Sequence, residues 1–297
     1  MPTVISAKDG QAYLESVDTS IEASRESLDD TVYTPIYIRV YNEKTESVDE
    51  YELEEYTSLA LSALTDIGFE PEALKAQAVA IRSVICYRHE NPDHKGFEIC
   101  TDAEHCFPLA ERAREDCISA VEETRGLALT YEGRAALALS HLSSCISTES
   151  HFAVYGESMP YLTSVSVFNE SDFAYYKTVK SLSAEEYKNA FSAYNTDFDS
   201  NPYFDSVCFT EGNRVYTINA GGLCFKGSTF ARLFQLPSTC FSVTETKNGF
   251  EITCYGNGNG VGMSRLSAFL MAKDGEDFKS ILQHFYPGTE LSHICAA

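Results

Sequence analysis

Two histidines and two cysteines crowd into one short stretch, "HKGFEICTDAEHC": His94, Cys100, His105 and Cys106. Imidazole nitrogen and thiolate sulfur are the donors of tetrahedral zinc, and spacings of six and five residues let a loop containing Gly96 wrap one ion. The adjacent pair His105-Cys106 sets a condition. Neighbouring side chains diverge in extended backbone, so both reach one ion only if the chain turns there. His89 and Asp93 are substitute donors. A closed four-ligand shell would be structural, because catalytic zinc keeps one position for water. The competing reading is a surface loop with unrelated histidines and a Cys100–Cys106 bridge.

The rest of the composition narrows the field. The 297 residues carry 44 acidic and 22 basic side chains, a formal charge of −22. Such a surface repels phosphate backbones and anionic membranes, so nucleic acid is excluded as a partner, whereas a neutral sugar polymer is unaffected. Apolar residues make up 44% of the chain, enough for a packed core of one large or two modest domains. No apolar run reaches the length of a membrane helix, and "MPTVISAKDGQAYLES" lacks a secretory pattern. The chain is therefore read as leaderless or as a trimmed ectodomain. A zinc hydrolase would need an open metal position and a general base, and no HExxH-like element is present. Several of the ten cysteines sit in apolar patterns such as "SVICY" and "EITCY", where a free thiol acts as a small hydrophobe.

Mixed elements must position these residues. Residues 1–32 read as a polar tail and 33–297 as the folded part, in one domain or two lobes of about 33–165 and 166–297. Alternation from Tyr33 to Tyr56 predicts a strand hairpin. "EPEALKAQAVAIRSVICYRHE" predicts a central helix with Pro71 at its first position and Leu74, Ala78, Ile81 and Ile85 along one face. Lys75 and Arg82 on it are read as structural or solvated. "PLAERAREDCISAVEETRG" predicts a second helix from Pro108 to Gly126, and "LALTYEGRAALAL" two strands joined at Glu132-Gly133. Ser183 and Glu186 form a capping box, and two helices follow "GNGNGVG", the last stopped by Pro287-Gly288. The fold class is α+β.

Five motifs in order give the chain a resemblance to a known family, the stage II sporulation protein D (SpoIID) family of cell-wall lytic transglycosylases. They are "LEEY" with "EALKAQAVAIRS", "CTDAEHCF", "VEETRGLALTYEGRAALALSHLSS", "MPYLTSV" and "GNGNGVGMSRLSAFLMAKDGEDFKSILQHFYPGTEL", spanning about Tyr37 to Leu291. The resemblance implies a glycan groove between two lobes, a peptidoglycan glycan strand as partner, other cell-wall or sporulation proteins as further partners, and work outside the cytoplasmic membrane. It also implies zinc, because some members bind it through a similar His, Cys, His, Cys set. The family's reaction leaves a 1,6-anhydro sugar and needs one protonated glutamate. That glutamate lies eight residues after the tyrosine of "EEY" and eight before the glutamate of "EALKAQ". Both counts reach Leu64.

Other positions of the implied groove are His141, Ser143, Ser144, Asn257, Asn259, Met263 and Ser264. Asn257 and Asn259 stand where "GWGHGVGMS" has an aromatic and a histidine, Cys145 and Ile146 replace a glycine pair, and Tyr155 replaces a tryptophan. Two functional expectations follow. One is a glycan-binding protein with lost or weakened catalysis. The other is an active transglycosylase with a relocated acid, Asp66, Glu70 or Glu72. His141, Glu149 and His151 are read as ordinary polar loop residues.

Overall fold

Alternation in "YIRVYN" buries Ile38 and Val40 on one face of β1 (Tyr37–Asn42), which pairs antiparallel with β2 (Ser47–Glu52). The protein is described here by a computed structural model covering residues 35–66, 68–103 and 105–293; the expected tail at 1–32 lies outside the described residues. The hairpin is shorter than the alternation suggested. It ends at Glu52, whose side chain accepts from the amides of Glu54 and Glu55 and so caps α1 (Leu53–Leu64).

The chain continues through α2 (Pro71–Glu90), β3 (Ile99–Cys100), α3 (Glu115–Glu123), β4 (Leu127–Tyr131), β5 (Arg134–Ala135) and β6 (Ser140–His141). Then follow α4 (His151–Tyr155), β7 (Lys177–Leu182), α5 (Ala184–Ala190), β8 (Asp205–Phe209), β9 (Val215–Ala220), β10 (Leu223–Lys226) and α6 (Gly227–Leu233). The last elements are β11 (Cys240–Thr246), β12 (Gly249–Tyr255), β13 (Met263–Ser264), α7 (Arg265–Lys273), α8 (Phe278–Phe285) and β14 (Glu290–His293). The strands form small sheets in the orders β2-β1-β3, β10-β9-β8, β11-β12-β7, β13-β6 and β14-β4-β5. The α+β class is borne out, as are the central helix, the capping box of α5 and the two closing helices.

The central helix α2 is buried on both sides. Leu74, Ala78, Ile81 and Ile85 join α1, α3 and the hairpin in one apolar cluster. Ala73, Ala76, Val79 and Ala80 face a second cluster with α7, α8 and β4. Alanine suits this position because it lets neighbouring backbones approach while retaining helix propensity. A third cluster draws on residues 182–254 and is dominated by aromatics, with Tyr187, Phe191, Phe230 and Phe250 at its centre.

One expected helix is reassigned. Residues 108–114 are not helical, and α3 begins only at Glu115. Arg114 explains the delay. Its guanidinium donates to the carbonyls of Ser62 (2.9 Å) and Thr65 (2.6 Å), and its amide donates to Ser62 Oγ. It therefore supplies from outside the cation that the last turn of α1 lacks.

Arg82 is fully buried, which removes the solvated reading. Its Nε donates to Glu54 Oε2 at 2.6 Å, and its other nitrogens donate to Thr124 Oγ1, Leu127 O and Val121 O. Glu54 Oε1 accepts the Gly126 amide at 3.0 Å. The pair thus joins α1, α2 and the turn after α3. Replacing Arg82 with Met leaves a buried carboxylate unpaired. In urea unfolding this should lower stability by about 3–5 kcal/mol, with a smaller loss when Glu54→Leu is added.

Candidate functional site

The His/Cys loop is anchored at both ends. β3 pairs in parallel with β1, setting Tyr41 opposite Cys100. The Cys106 amide then donates to Asp102 O at 2.7 Å and the His105 amide to the same oxygen at 3.2 Å. This is the turn that the adjacent pair required. His94 Nε2 lies 3.4 Å from Cys106 Sγ, Cys100 Sγ 3.6 Å from His105 Nδ1, and His105 Nδ1 3.3 Å from Cys106 Sγ. All four donor atoms fall within 4.8 Å of one another. With zinc–nitrogen and zinc–sulfur bonds of about 2.0 and 2.3 Å, a tetrahedral N–S edge is roughly 3.5 Å, so the set fits one ion.

Two further observations agree with a cation there. Burial and the charge of His105 hold His94 below the ordinary imidazole range, keeping it a neutral donor. The Tyr56 hydroxyl is buried without a hydrogen-bond partner; burial raises its pKa well above the usual phenol value, and thiolates at Cys106 and Cys100 would raise it further. Asp93, expected as a substitute ligand, instead pairs with Arg88 and lies 3.6 Å from His105 Nε2, on the ring edge away from the cysteines. A carboxylate at that edge fixes ring orientation. His89 is exposed beside Glu98, outside the cluster. Cys100 and Cys106 are free thiols, not a bridge.

Leu64 ends α1 and packs against the first apolar cluster. Asp66 is exposed, and its charge faces the buried guanidinium of Arg265, which burial lowers to about 10. Glu70 is the N-cap residue of α2 without a side-chain cap bond. Glu72 pairs with Lys75 at 2.7 Å through one oxygen and accepts the Phe278 amide at 2.9 Å through the other, joining α2 to α8. Lys75 also pairs with Glu123 at 2.6 Å.

The serine loop and the glycine-rich segment do meet. β6 runs parallel to β13, with Met263 opposite Ser140 and Ser264 opposite His141, and Ser143 bridges Asn257. Close backbone approach explains two of the glycines. A Cβ on Gly262 (φ +74°) would sit 1.9 Å from Leu139 O, and one on Gly258 (φ +107°) 2.7 Å from His141 Cβ. His141, Ser143, Ser144, Met263 and Ser264 are buried. Since a carbonyl only accepts, His141 Nδ1 donates to Val261 O at 3.2 Å, and Nε2 accepts from Ser144 Oγ at 2.6 Å. Burial and Arg214 lower the His141 pKa to about 3. A serine hydroxyl on an imidazole is the pattern of nucleophile and base, but Ser144 is shut off from solvent and the base is weak.

Sequence reading missed the centre of this cluster. Glu170 is fully buried and accepts from the hydroxyls of Ser143 (2.6 Å), Ser264 (2.6 Å) and Ser267 (2.7 Å) and from the Ser144 amide (3.0 Å). Burial raises its pKa, opposed by the serine donors. Nothing in "SVFNESDF" marked it, because its partners lie 26 to 97 residues away. Glu149 and His151 are also buried, contrary to their reading as loop polar residues. Glu149 accepts from Thr210 Oγ1 and the Ser150 amide, and His151 Nδ1 donates to Glu157 O. Asn259 donates to the hydroxyl of Tyr155, whose ring is 51% exposed and packs on His151.

Comparison with known proteins returns the family that the motifs resembled. The stage II sporulation protein (SpoIID) family model matches residues 41–131, which hold α1, α2 and the His/Cys loop. Over most of its length the chain is similar to proteins of the SpoIID family. It is 28% identical to the stage II sporulation protein D of Bacillus subtilis, covering 97% of this chain and 89% of that protein. It is 26% identical to the protein of the same name in Bacillus amyloliquefaciens, covering 87% and 79%. An uncharacterised protein of Brachyspira hyodysenteriae is 25% identical over 84% of this chain and 69% of its own length.

The serine cluster generates one expectation. Glu170→Gln turns one acceptor oxygen into a donor facing two of these groups, either the Ser264 and Ser267 hydroxyls or the Ser143 hydroxyl and the Ser144 amide. Thermal unfolding should show a loss of about 1–3 kcal/mol, or several degrees in Tm.

Proposed function

We propose that this protein acts in sporulation at the cell wall, engaging peptidoglycan glycan strands with lost or weakened lytic transglycosylase catalysis, and that His94, Cys100, His105 and Cys106 hold a structural zinc. The observation that carries the catalytic part is Leu64. Where the resemblance places the family's acid stands a half-buried apolar side chain packed against the first core cluster. Protonating a glycosidic oxygen needs a carboxylic acid in dry, apolar surroundings. Asp66 is exposed and opposed by Arg265, and both oxygens of Glu72 are engaged in holding α2 and α8. Neither offers those surroundings.

Glycan engagement is supported by Tyr155. A half-exposed ring, fixed by Asn259 and His151, can stack on the apolar face of a sugar. On this reading the strand would lie in a groove between the two lobes, past Tyr155 and Asn259. Zinc would supply folding energy and no chemistry at the sugar, since four protein ligands complete its shell. His94 and His105 would bind as neutral imidazoles and Cys100 and Cys106 as thiolates, with Asp93 orienting His105.

Incubation with purified denuded glycan strands tests the catalytic part. The expected result is retention without release of 1,6-anhydro fragments, and Tyr155→Ala should weaken retention about three- to tenfold. Fragment release that vanishes in Asp66→Asn or Glu72→Gln would establish the relocated-acid reading instead. For the metal, elemental analysis should find about one equivalent of zinc, and a strong chelator should lower Tm. Cys106→Ser should lose both the zinc and the chelator effect.

A further inference from the structure

Arg265 opens α7 directly after Ser264, which caps the helix and pairs with His141 across β13 and β6. Its Nε is shut off from solvent and has no hydrogen-bond partner. The residue as a whole is only partly buried, and among the described residues no carboxylate forms an ion pair with it. In a chain with 44 acidic and 22 basic side chains, a partly buried guanidinium without a carboxylate is unexpected. Taking a charge out of water costs free energy, and a carboxylate seated on the guanidinium fork offsets that cost.

Packing on both sides fixes where this cation stands. Phe269, one helical turn on from Arg265, packs its ring against Phe69 with 5.3 Å between centroids. Phe69 belongs to the segment joining α1 to α2, so this face of α7 lies against the chain that follows Leu64. Asp66 in that segment is exposed and attracts Arg265 without pairing with it. On the other side, the glycine-rich segment leading to Arg265 wraps His141. A Cβ on Gly258 would lie 2.7 Å from the His141 Cβ, Val261 O accepts from His141 Nδ1, and Ser264 is its strand partner. Asn259, which donates to the Tyr155 hydroxyl, belongs to the same segment. Arg214, the other guanidinium here, differs. It is almost wholly buried and donates to Ser144 Oγ and Gly258 O, both at 3.3 Å, so it cross-links the protein itself.

We propose that Arg265 binds the free lactyl carboxylate of a muramic acid unit, in a glycan strand whose peptide stems have been removed. The inference rests on the reading that the protein engages glycan strands. On an N-acetylated strand the lactyl carboxylate is the group with a formal charge, and its two oxygens match the planar fork of a guanidinium. Where a peptide stem remains, the same carbon is an amide, with one acceptor oxygen and no charge. A guanidinium facing the segment after Leu64 would also hold a general acid there in its ionised form, so the place suits a bound carboxylate better than a proton donor.

Denuded strands are compared in two forms, one untouched and one with its lactyl carboxylates converted to amides by carbodiimide and ammonia. The full chain is titrated against both at about 0.15 M salt, where screening over roughly 8 Å removes the long-range repulsion of the acidic surface. Wild type should bind the untouched form about tenfold more tightly. Arg265→Gln should bind both forms equally, at the wild-type level for the amidated strand, whereas Tyr155→Ala should weaken both forms alike. The proposal is overturned if wild type binds the two forms equally or if Arg265→Gln keeps the preference, and in either case the glycan-binding reading stands. Failure of wild type to bind either form overturns the proposal and that reading together. Should Arg265→Gln not fold, Arg265→Lys decides. It keeps the charge but loses the fork, so the preference should fall to about two- to threefold, and an undiminished preference overturns the proposal.

Discussion

The contact between Arg82 and Glu54 holds the first half of the molecule together. A guanidinium and a carboxylate taken fully out of water are costly unless every polar atom finds a partner. Here Arg82 reaches Glu54, Thr124, Val121 and Leu127, while Glu54 also takes the Gly126 amide. The requirement to satisfy all of these fixes α1 against α2 and places the turn that starts β4. From that frame hang the hairpin above, the His/Cys loop through β1 and β3, and β14 through β4.

Two ends of α1 then diverge in character. At its start Glu52 caps the helix and Glu54 enters the buried pair. At its end Arg114 gathers the free carbonyls, and the half-buried Leu64 packs against the first cluster. This end of α1 serves packing and capping. Glu72 tells the same story from the other side, since a carboxylate at the helix opening serves to dock α8. The carboxylates near the expected reaction centre are employed as structural parts.

The serine cluster shows a similar exchange. Glu170 gathers three hydroxyls and an amide from the serine loop, β13 and α7, and Arg214 spans the serine loop and the glycine-rich segment. A carboxylate and a guanidinium thereby sit near each other without forming an ion pair.

Much of this was readable along the chain because the signals were local. Pro71 and the apolar spacing of Leu74, Ala78, Ile81 and Ile85 defined α2, Ser183 and Glu186 defined the cap of α5, and four donors within one loop defined the metal set. The helix expected from Pro108 began late because Arg114 serves α1, a partner 49 to 52 residues away that no local pattern records. Glu170 and Arg214 were invisible for the same reason: their partners come from distant segments. Sequence alone determined the central helix, the capping box and the order of motifs shared with the SpoIID family, because residue type and short-range spacing settle them. Tertiary structure decided whether His105 and Cys106 could face one point and that His141 and Ser144 are sealed from solvent, because burial and long-range contact exist only after the chain has folded.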